Sequence, residues 1–152
     1  MHEQNSTSDH RPRAHWMSVL ARATHAQLAA ATAGLDLPAV EIIKPAECGT
    51  LMIEARAGGT GQRFNSGEAT ITRCVVRLED RLGFAYALGR DKQKALLCAT
   101  LDAVLQDPQR QAALLNQVVT PLHLASIERK AAASRKAAAT KVEFFTLVRG
   151  DG

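Results

Sequence analysis

The spacing of apolar residues changes twice along this chain, and this feature constrains the fold more than any other. Near the start, apolar residues recur at the intervals of one helical face: Trp16, Val19, Leu20 and Ala23. Between residues 39 and 89 they alternate with polar residues instead, as expected of strands that bury one face. Beyond residue 90 the helical interval returns. Because helices and strands occupy separate stretches, the pattern predicts an α+β domain.

The alternating stretch predicts an antiparallel sheet of four strands. Apolar and polar residues alternate in residues 40–42, 51–55, 70–78 and 84–88. The connections between these segments are short, and short connections favour antiparallel pairing. A further segment, residues 142–148, is β-branched and aromatic, so it predicts a final apolar strand.

Capping residues predict two helices before the sheet and three after it. The N-terminal stripe forms the first helix, and Thr24 and Gln27 have the spacing of a capping box at the start of the second. Asp91 is a suitable N-cap for the third helix. Asp107 and Thr120 each precede a proline that suits the first helical position, so two more helices are expected there. The last of these is alanine-rich, with bases around a thin apolar edge, and should bury little.

Composition indicates a folded protein that needs neither a disulfide nor a metal. The chain has 152 residues, of which 46% are hydrophobic and 22% charged, as in soluble globular domains. Residues 1–12 are polar and aperiodic, so we predict a flexible tail followed by a single domain over residues 13–152. No apolar stretch is long enough to cross a membrane and the start lacks a signal-peptide core, which predicts a cytoplasmic protein. Cys48, Cys74 and Cys98 lie far apart, so we expect free thiols and no metal site.

The basic residues are concentrated in two regions of a chain whose formal net charge is +4. Residues 56–94 include a loop and strands, and residues 129–141 belong to the last predicted helix. Anionic ligands, nucleic acid and acidic partner surfaces would each suit such regions. Sequence-specific readout of nucleic acid is weakly supported, because only 4% of residues are aromatic and no stacking pattern is present.

A glycine-rich stretch between two predicted strands is the most notable local sequence. Successive glycines let backbone amides converge on an anion, and arginines on either side can bind phosphate oxygens. The stretch lacks the ending of a Walker loop and is not a dinucleotide fingerprint. An anion-contacting loop therefore stays open beside a flexible turn or a subunit-contact loop. The candidate residues are Arg56, Gly58, Gly59, Thr60, Gly61, Arg63 and, on the next strand, Arg73.

The arginines of the third predicted strand raise a related question. Arg73 and Arg77 share a strand face with Ile71 and Val75, and burying guanidinium groups there would be costly without partners. That face is therefore either exposed or covered by carboxylates of a partner or by a ligand.

Two histidines are candidate catalytic groups. His15 beside Trp16 could act as a base, but its position favours a surface or capping histidine. His123 lies in the first turn of a predicted helix, where a positive charge is unfavourable, so we expect it to be neutral and structural. We therefore assign no catalytic residue and no metal ligand.

Several sequence blocks resemble the G subunit of the bacterial phosphonate carbon–phosphorus lyase complex. They follow that family's order along nearly the whole chain. The blocks are HWMSVLA at residues 15–21, GGTGQRF at 58–64, GEAT at 67–70, TR at 72–73, GRDKQ at 89–93 and FFTLVRGD at 144–151.

The resemblance implies a subunit rather than a self-contained enzyme. It implies assembly with the H, I, J and K subunits into a cytoplasmic core complex with paired copies. With an ATPase-like L subunit, that complex would replace the adenine of ATP by an alkylphosphonate, giving alpha-D-ribose 1-alkylphosphonate 5-triphosphate. ATP would be the substrate of the complex, and this chain would bind no cofactor of its own.

The expected role is thus that of a non-catalytic or accessory subunit. A basic nucleic-acid-binding module and a stand-alone phosphate-ester-binding enzyme stay as alternatives. The final apolar strand fits the first reading, since it would dock on another chain, with the I subunit as the expected partner. The residues expected to bind the partner are Phe144, Phe145, Leu147 and Val148.

Overall fold

The fold was determined as a computed structural model that describes the backbone of residues 10–148 and the side chains of residues 11–140. The elements in chain order are α1 (His10–Arg22), α2 (His25–Thr32), β1 (Glu41–Arg56), β2 (Arg63–Leu78), β3 (Arg81–Leu88), α3 (Lys92–Leu105), α4 (Pro108–Leu114) and α5 (Thr120–Val148). The class is α+β, as the periodicity predicts. Of the predicted tail, residues 10–12 belong to α1, and residues 1–9 lie outside the described residues.

The sheet has three antiparallel strands in the order β1-β2-β3, so the prediction of four strands is wrong. The predicted strands at residues 40–42 and 51–55 are parts of the single strand β1. The alternation is interrupted between them, in a stretch that includes Pro45 and Gly49. β1, however, is an edge strand and pairs on one side only, so the missing N–H of a proline can be tolerated there. The pairing of β1 with β2 is also irregular between Ile42 and Glu47, which accommodates Pro45 within the strand.

The predicted helix start at Thr120 is also wrong, because α4 and α5 form one continuous helix. They are joined by a π-helical segment, Leu115–Val119, and Thr120 itself has helical dihedrals (φ −62°, ψ −47°). Pro121 lacks an N–H and its ring crowds the preceding turn. The wider π turn just before it lets the helix pass the proline without ending. Residues 10–148 therefore contain four continuous helices rather than five.

The predicted final strand at residues 142–148 is helical, since α5 extends to Val148. Adding residues to an existing helix gains a hydrogen bond for each residue fixed. A strand there would need a partner strand, and β-propensity alone does not supply one. The side chains of the predicted partner-binding residues in this segment lie outside the described side chains.

Other local predictions are confirmed. Thr24 and Gln27 form a capping box, and Asp91 and Asp107 each cap a helix through the side chain. The N-terminal stripe is buried, from Trp16 to Ala23.

The core lies between one face of the sheet and the helices. α3 packs against β2 and β3, and every residue from Cys98 to Leu105 is buried. On the sheet, the residues of β2 that face the helices are Thr72, Cys74, Val76 and Leu78. We call this the inner face. The opposite, outer face carries the remaining side chains of β2 and is largely exposed. α1 borders it only beside β3, where Arg13 lies over the ring of Phe84.

Candidate functional site

The first two strands extend beyond the third as a two-stranded arm. β3 ends where Leu88 pairs with Ile71, but β1 and β2 remain paired from Gly49 and Ile71 to Arg56 and Arg63. The arm therefore covers residues 49–70. It is exposed over almost its whole length, including Met52 at 51% and Phe64 at 50% of their full exposure.

The glycine-rich loop forms the tip of this arm. Gly58 and Gly59 have positive φ angles of 63° and 82°, a conformation that favours glycine. The amide groups of Thr60 and Gly61 both donate to the carbonyl oxygen of Ala57. Two of the amides that would have met an anion thus bind within the loop. The turn itself therefore explains why glycines occur at the tip. An anion-contacting role for the loop stays a prediction.

The arginines of the predicted loop site do not all come together. Arg56 and Arg63 are paired across the arm next to the tip, and Arg63 Nη1 lies 3.8 Å from Glu54 Oε2. Arg73 lies ten residues beyond Arg63 along β2, a separation on the order of 30 Å at the rise of a strand. The structure therefore separates Arg73 from the glycine-rich loop, contrary to the predicted grouping.

Arg73 instead lies on the outer face of the sheet, at the centre of an apolar surface. Its neighbours across the strands are Glu47 on β1 and Tyr86 on β3. It lines an open cavity of about 340 Å³ together with Leu51, Ile71, Tyr86 and Leu88. This face was predicted to be either exposed or covered by a partner, and it is exposed in the isolated chain.

The two histidines considered as catalytic groups contact each other. The rings of His15 on α1 and His123 on α5 meet edge to face, with their centroids 4.8 Å apart. A second histidine contact lies elsewhere, where His25 Nδ1 is 2.8 Å from Asp91 Oδ2. The Lys94 backbone amide, and then the His25 contact, hold the pKa of Asp91 below its ordinary value. Asp91 therefore caps α3 as a carboxylate, which assigns the GRDKQ block a structural role.

A buried carboxylate that the sequence analysis did not single out connects three elements. Asp102 on α3 is fully buried and accepts hydrogen bonds from Arg13, Trp16 and the backbone amide of Phe84. The sequence signal was an acid among the apolar residues of α3. Its donors on α1 lie three residues apart, which places both on one side of that helix. Trp16 belongs to the HWMSVLA block, so this block too has a structural role.

The described residues show neither a metal cluster nor a membrane span. No three His, Cys, Asp or Glu side chains converge among those that the structure describes. No helix within residues 10–148 is both long and apolar enough to cross a bilayer.

The three cysteines are free thiols in different surroundings. Cys48 is exposed, whereas Cys74 and Cys98 are buried. Burial raises the pKa of Cys98 to about 11 and also raises the pKa of Cys74. Since the thiolate is the reactive form, the two buried cysteines should be inert.

We expect a thiol reagent such as Ellman's reagent at about pH 8 to modify one thiol quickly in the native chain and three after denaturation. Absorbance of the released chromophore over time gives both counts. Cys48→Ser should remove the fast phase alone. Three fast thiols in the native chain would contradict the closed packing of α3 against α1 and the sheet.

Comparisons with known proteins agree on one family. The family model for the phosphonate metabolism protein PhnG matches residues 11–150. The alpha-D-ribose 1-methylphosphonate 5-triphosphate synthase subunit PhnG of Rhizobium meliloti (strain 1021) is 41% identical over 140 residues, covering 89% of this chain and 87% of that protein.

Proposed function

The chain belongs to the family of the phosphonate metabolism protein PhnG, and on that premise we propose that it is an accessory subunit of an alpha-D-ribose 1-methylphosphonate 5-triphosphate synthase. The observation that carries this proposal is 41% identity to such a subunit over most of both chains. The role belongs to phosphonate metabolism, as the sequence blocks had indicated.

The arrangement of the described residues supports an accessory role. A nucleophilic or acid–base site needs a reactive group within hydrogen-bond reach of a base. Here the groups with such chemistry are distributed over separate places: His15 with His123, His25 with Asp91, and Cys48 beside the hydroxyl of Thr72. The exposed arm and the open outer face are surfaces suited to contact with other chains.

The proposed partners, copy number and substrates follow from the family resemblance in the sequence. We take the partners to be the H, I, J and K subunits, with two copies of this chain in a cytoplasmic complex. ATP and an alkylphosphonate are the substrates of that complex, with an ATPase-like L subunit acting alongside. The contacts proposed to serve this assembly are the anion-contacting or interface loop at the arm tip and the C-terminal residues Phe144, Phe145, Leu147 and Val148.

Reconstitution tests the proposal. Extracts with the other synthase subunits, with and without this chain, should be given ATP and methylphosphonate, and release of adenine measured. We expect adenine release only when the chain is present, and none from the purified chain alone, because the reacting groups would come from its partners. Equal release without the chain, or turnover by the isolated chain, would overturn the accessory role.

A further inference from the structure

The outer face of the sheet is an apolar surface that the described part of the chain leaves uncovered. Tyr86 is 59% exposed and Leu88 71% exposed on β3, and Leu51 is 51% exposed on β1. Strand pairing aligns Leu88 with Ile71 and Ile71 with Gly49, so these side chains form one continuous surface. Large apolar side chains that lie next to each other on a sheet face indicate a contact surface, whereas single exposed apolar residues do not.

Arg73 is the charge at the centre of this surface, and it differs from the other outward arginine of β2. Arg77 donates through Nε to Glu41 Oε2 at 3.0 Å, so its charge is matched within the chain. None of the ion pairs among the described residues includes Arg73, although Glu47 lies opposite it in register.

The guanidinium of Arg73 extends over Gly49 instead of toward Glu47. Its Nη2 lies 3.9 Å from the position that a Cβ on Gly49 would occupy. The absence of a side chain at Gly49 leaves this space to Arg73, at the edge of the cavity that also contains Leu51 and Leu88. No acid lines that cavity, whereas Lys44 and Glu47 line a second cavity on the other side of Arg73. On the side of Gly49 the guanidinium is therefore available to a carboxylate of a partner.

We propose that the outer face is a docking surface for another subunit of the synthase, one that sets a carboxylate against Arg73 and apolar side chains against Tyr86, Leu88 and Leu51. This proposal rests on the proposed function, since it needs a complex to join. An arginine fork binds a carboxylate through two charge-assisted hydrogen bonds, and the surrounding apolar contacts exclude water from them.

Two other occupants fit the surface less well. In a two-fold contact between copies of this chain the same face would meet itself, which brings Arg73 toward the Arg73 of the second copy. A small anion such as methylphosphonate could bind the guanidinium but would leave most of the apolar surface exposed. An acidic and apolar protein segment satisfies both the charge and the surface.

Competitive incorporation tests the proposal. Wild-type chain and a variant are co-expressed with the other synthase subunits, the complex is purified through a tag on one of those subunits, and mass spectrometry gives the ratio of the two forms. We expect Arg73→Glu to be incorporated at least about tenfold less than wild type, because the reversal removes one charged contact and adds a repulsion. Leu88→Ser should also be under-represented.

Arg110→Glu is the matched control, since it makes the same change of charge on α4, in the helical layer. It should be incorporated like wild type. Both arginine variants should keep the wild-type thermal midpoint by circular dichroism, because both side chains are exposed.

The outcomes separate the docking surface from the proposed function. Incorporation of Arg73→Glu at the wild-type ratio would overturn the docking surface while leaving the subunit role intact. If wild type itself is not incorporated, both fail. Calorimetric binding of methylphosphonate to the isolated chain, lost in Arg73→Glu while incorporation is normal, would assign Arg73 to a small anion instead.

Discussion

Replacing Asp102 with alanine is expected to destabilise the fold by about 3–5 kcal/mol, as for other buried ion pairs that lose one partner. Its carboxylate lies 2.9 Å from Arg13 Nη2, from Trp16 Nε1 and from the amide nitrogen of Phe84. Removing it leaves a half-buried guanidinium and two buried donors without an acceptor. Because single domains have total stabilities of about 5–15 kcal/mol, this loss would remove a large fraction of the total.

Urea unfolding monitored by circular dichroism gives the change in the free energy of unfolding. Fluorescence is less suitable, because the single tryptophan is itself a donor to Asp102. Asp36→Ala, at an exposed position, is the control and should change stability by less than about 0.5 kcal/mol. Trp16→Phe removes only one donor and should cost about 1–2 kcal/mol. A loss below 1 kcal/mol for Asp102→Ala would show that the carboxylate does not hold α1, β3 and α3 together.

The elements that the sequence predicts correctly are those determined by local interactions. The capping box at Thr24 and the caps at Asp91 and Asp107 depend on side chains within three residues of the helix start. The alternation in β2 is visible because its inner face is buried by helices and its outer face is not. These features could be predicted because each is set by neighbouring residues.

The errors arise where the outcome depends on structure outside the segment itself. β1 continues past Pro45 because it lies at the edge of the sheet, and strand order cannot be inferred from the strand itself. The helix continues past Thr120 because a π turn accommodates Pro121. Residues 142–148 have β-branched and aromatic side chains, yet they extend an existing helix. In each case the local signal was real, but tertiary context overrode it.

In the candidate site, too, the features set by neighbouring residues could be predicted and those set by distant residues could not. The glycine-rich loop was placed correctly between two strands, since glycines at positive φ mark a turn. Its grouping with Arg73 did not account for the length of the arm, because residues 63–69 include few apolar side chains and the alternation of β2 is visible only from residue 70. Asp102 went unnoticed because its three donors come from distant parts of the chain.

Replacing Gly83 with alanine should destabilise the fold about as much as removing the Asp102 carboxylate. An ideal Cβ on this buried residue of β3 would lie 2.1 Å from the carbonyl oxygen of Ala99 and 2.8 Å from both the Cβ and the nitrogen of Ala103. Two of these three atoms belong to the backbone of α3, which is itself buried. Glycine and two alanines thus allow the sheet and the helix to approach closely, as glycine in a strand often does.

We expect Gly83→Ala to lower the free energy of unfolding by about 3 kcal/mol or more, at the upper end of the range for overpacked cores, because backbone atoms cannot rotate out of the way. Urea unfolding of the full chain measures the loss. Gly61→Ala is an instructive control, since its Cβ would lie 2.4 Å from the Ala57 carbonyl oxygen but in the exposed tip of the arm. The tip can rearrange without disturbing the core, so its loss should be smaller.

The double variant Gly83→Ala/Ala103→Gly tests the cause of the Gly83 effect. It removes the contact with the Ala103 Cβ but leaves the clashes with the backbone of α3, so it should recover little stability. A glycine within a helix also costs about 1 kcal/mol of its own. If Gly83→Ala is no more destabilising than Gly61→Ala, the sheet and α3 must separate easily. The same α3 buries Asp102 against β3, so that outcome would also contradict the large effect expected for Asp102→Ala.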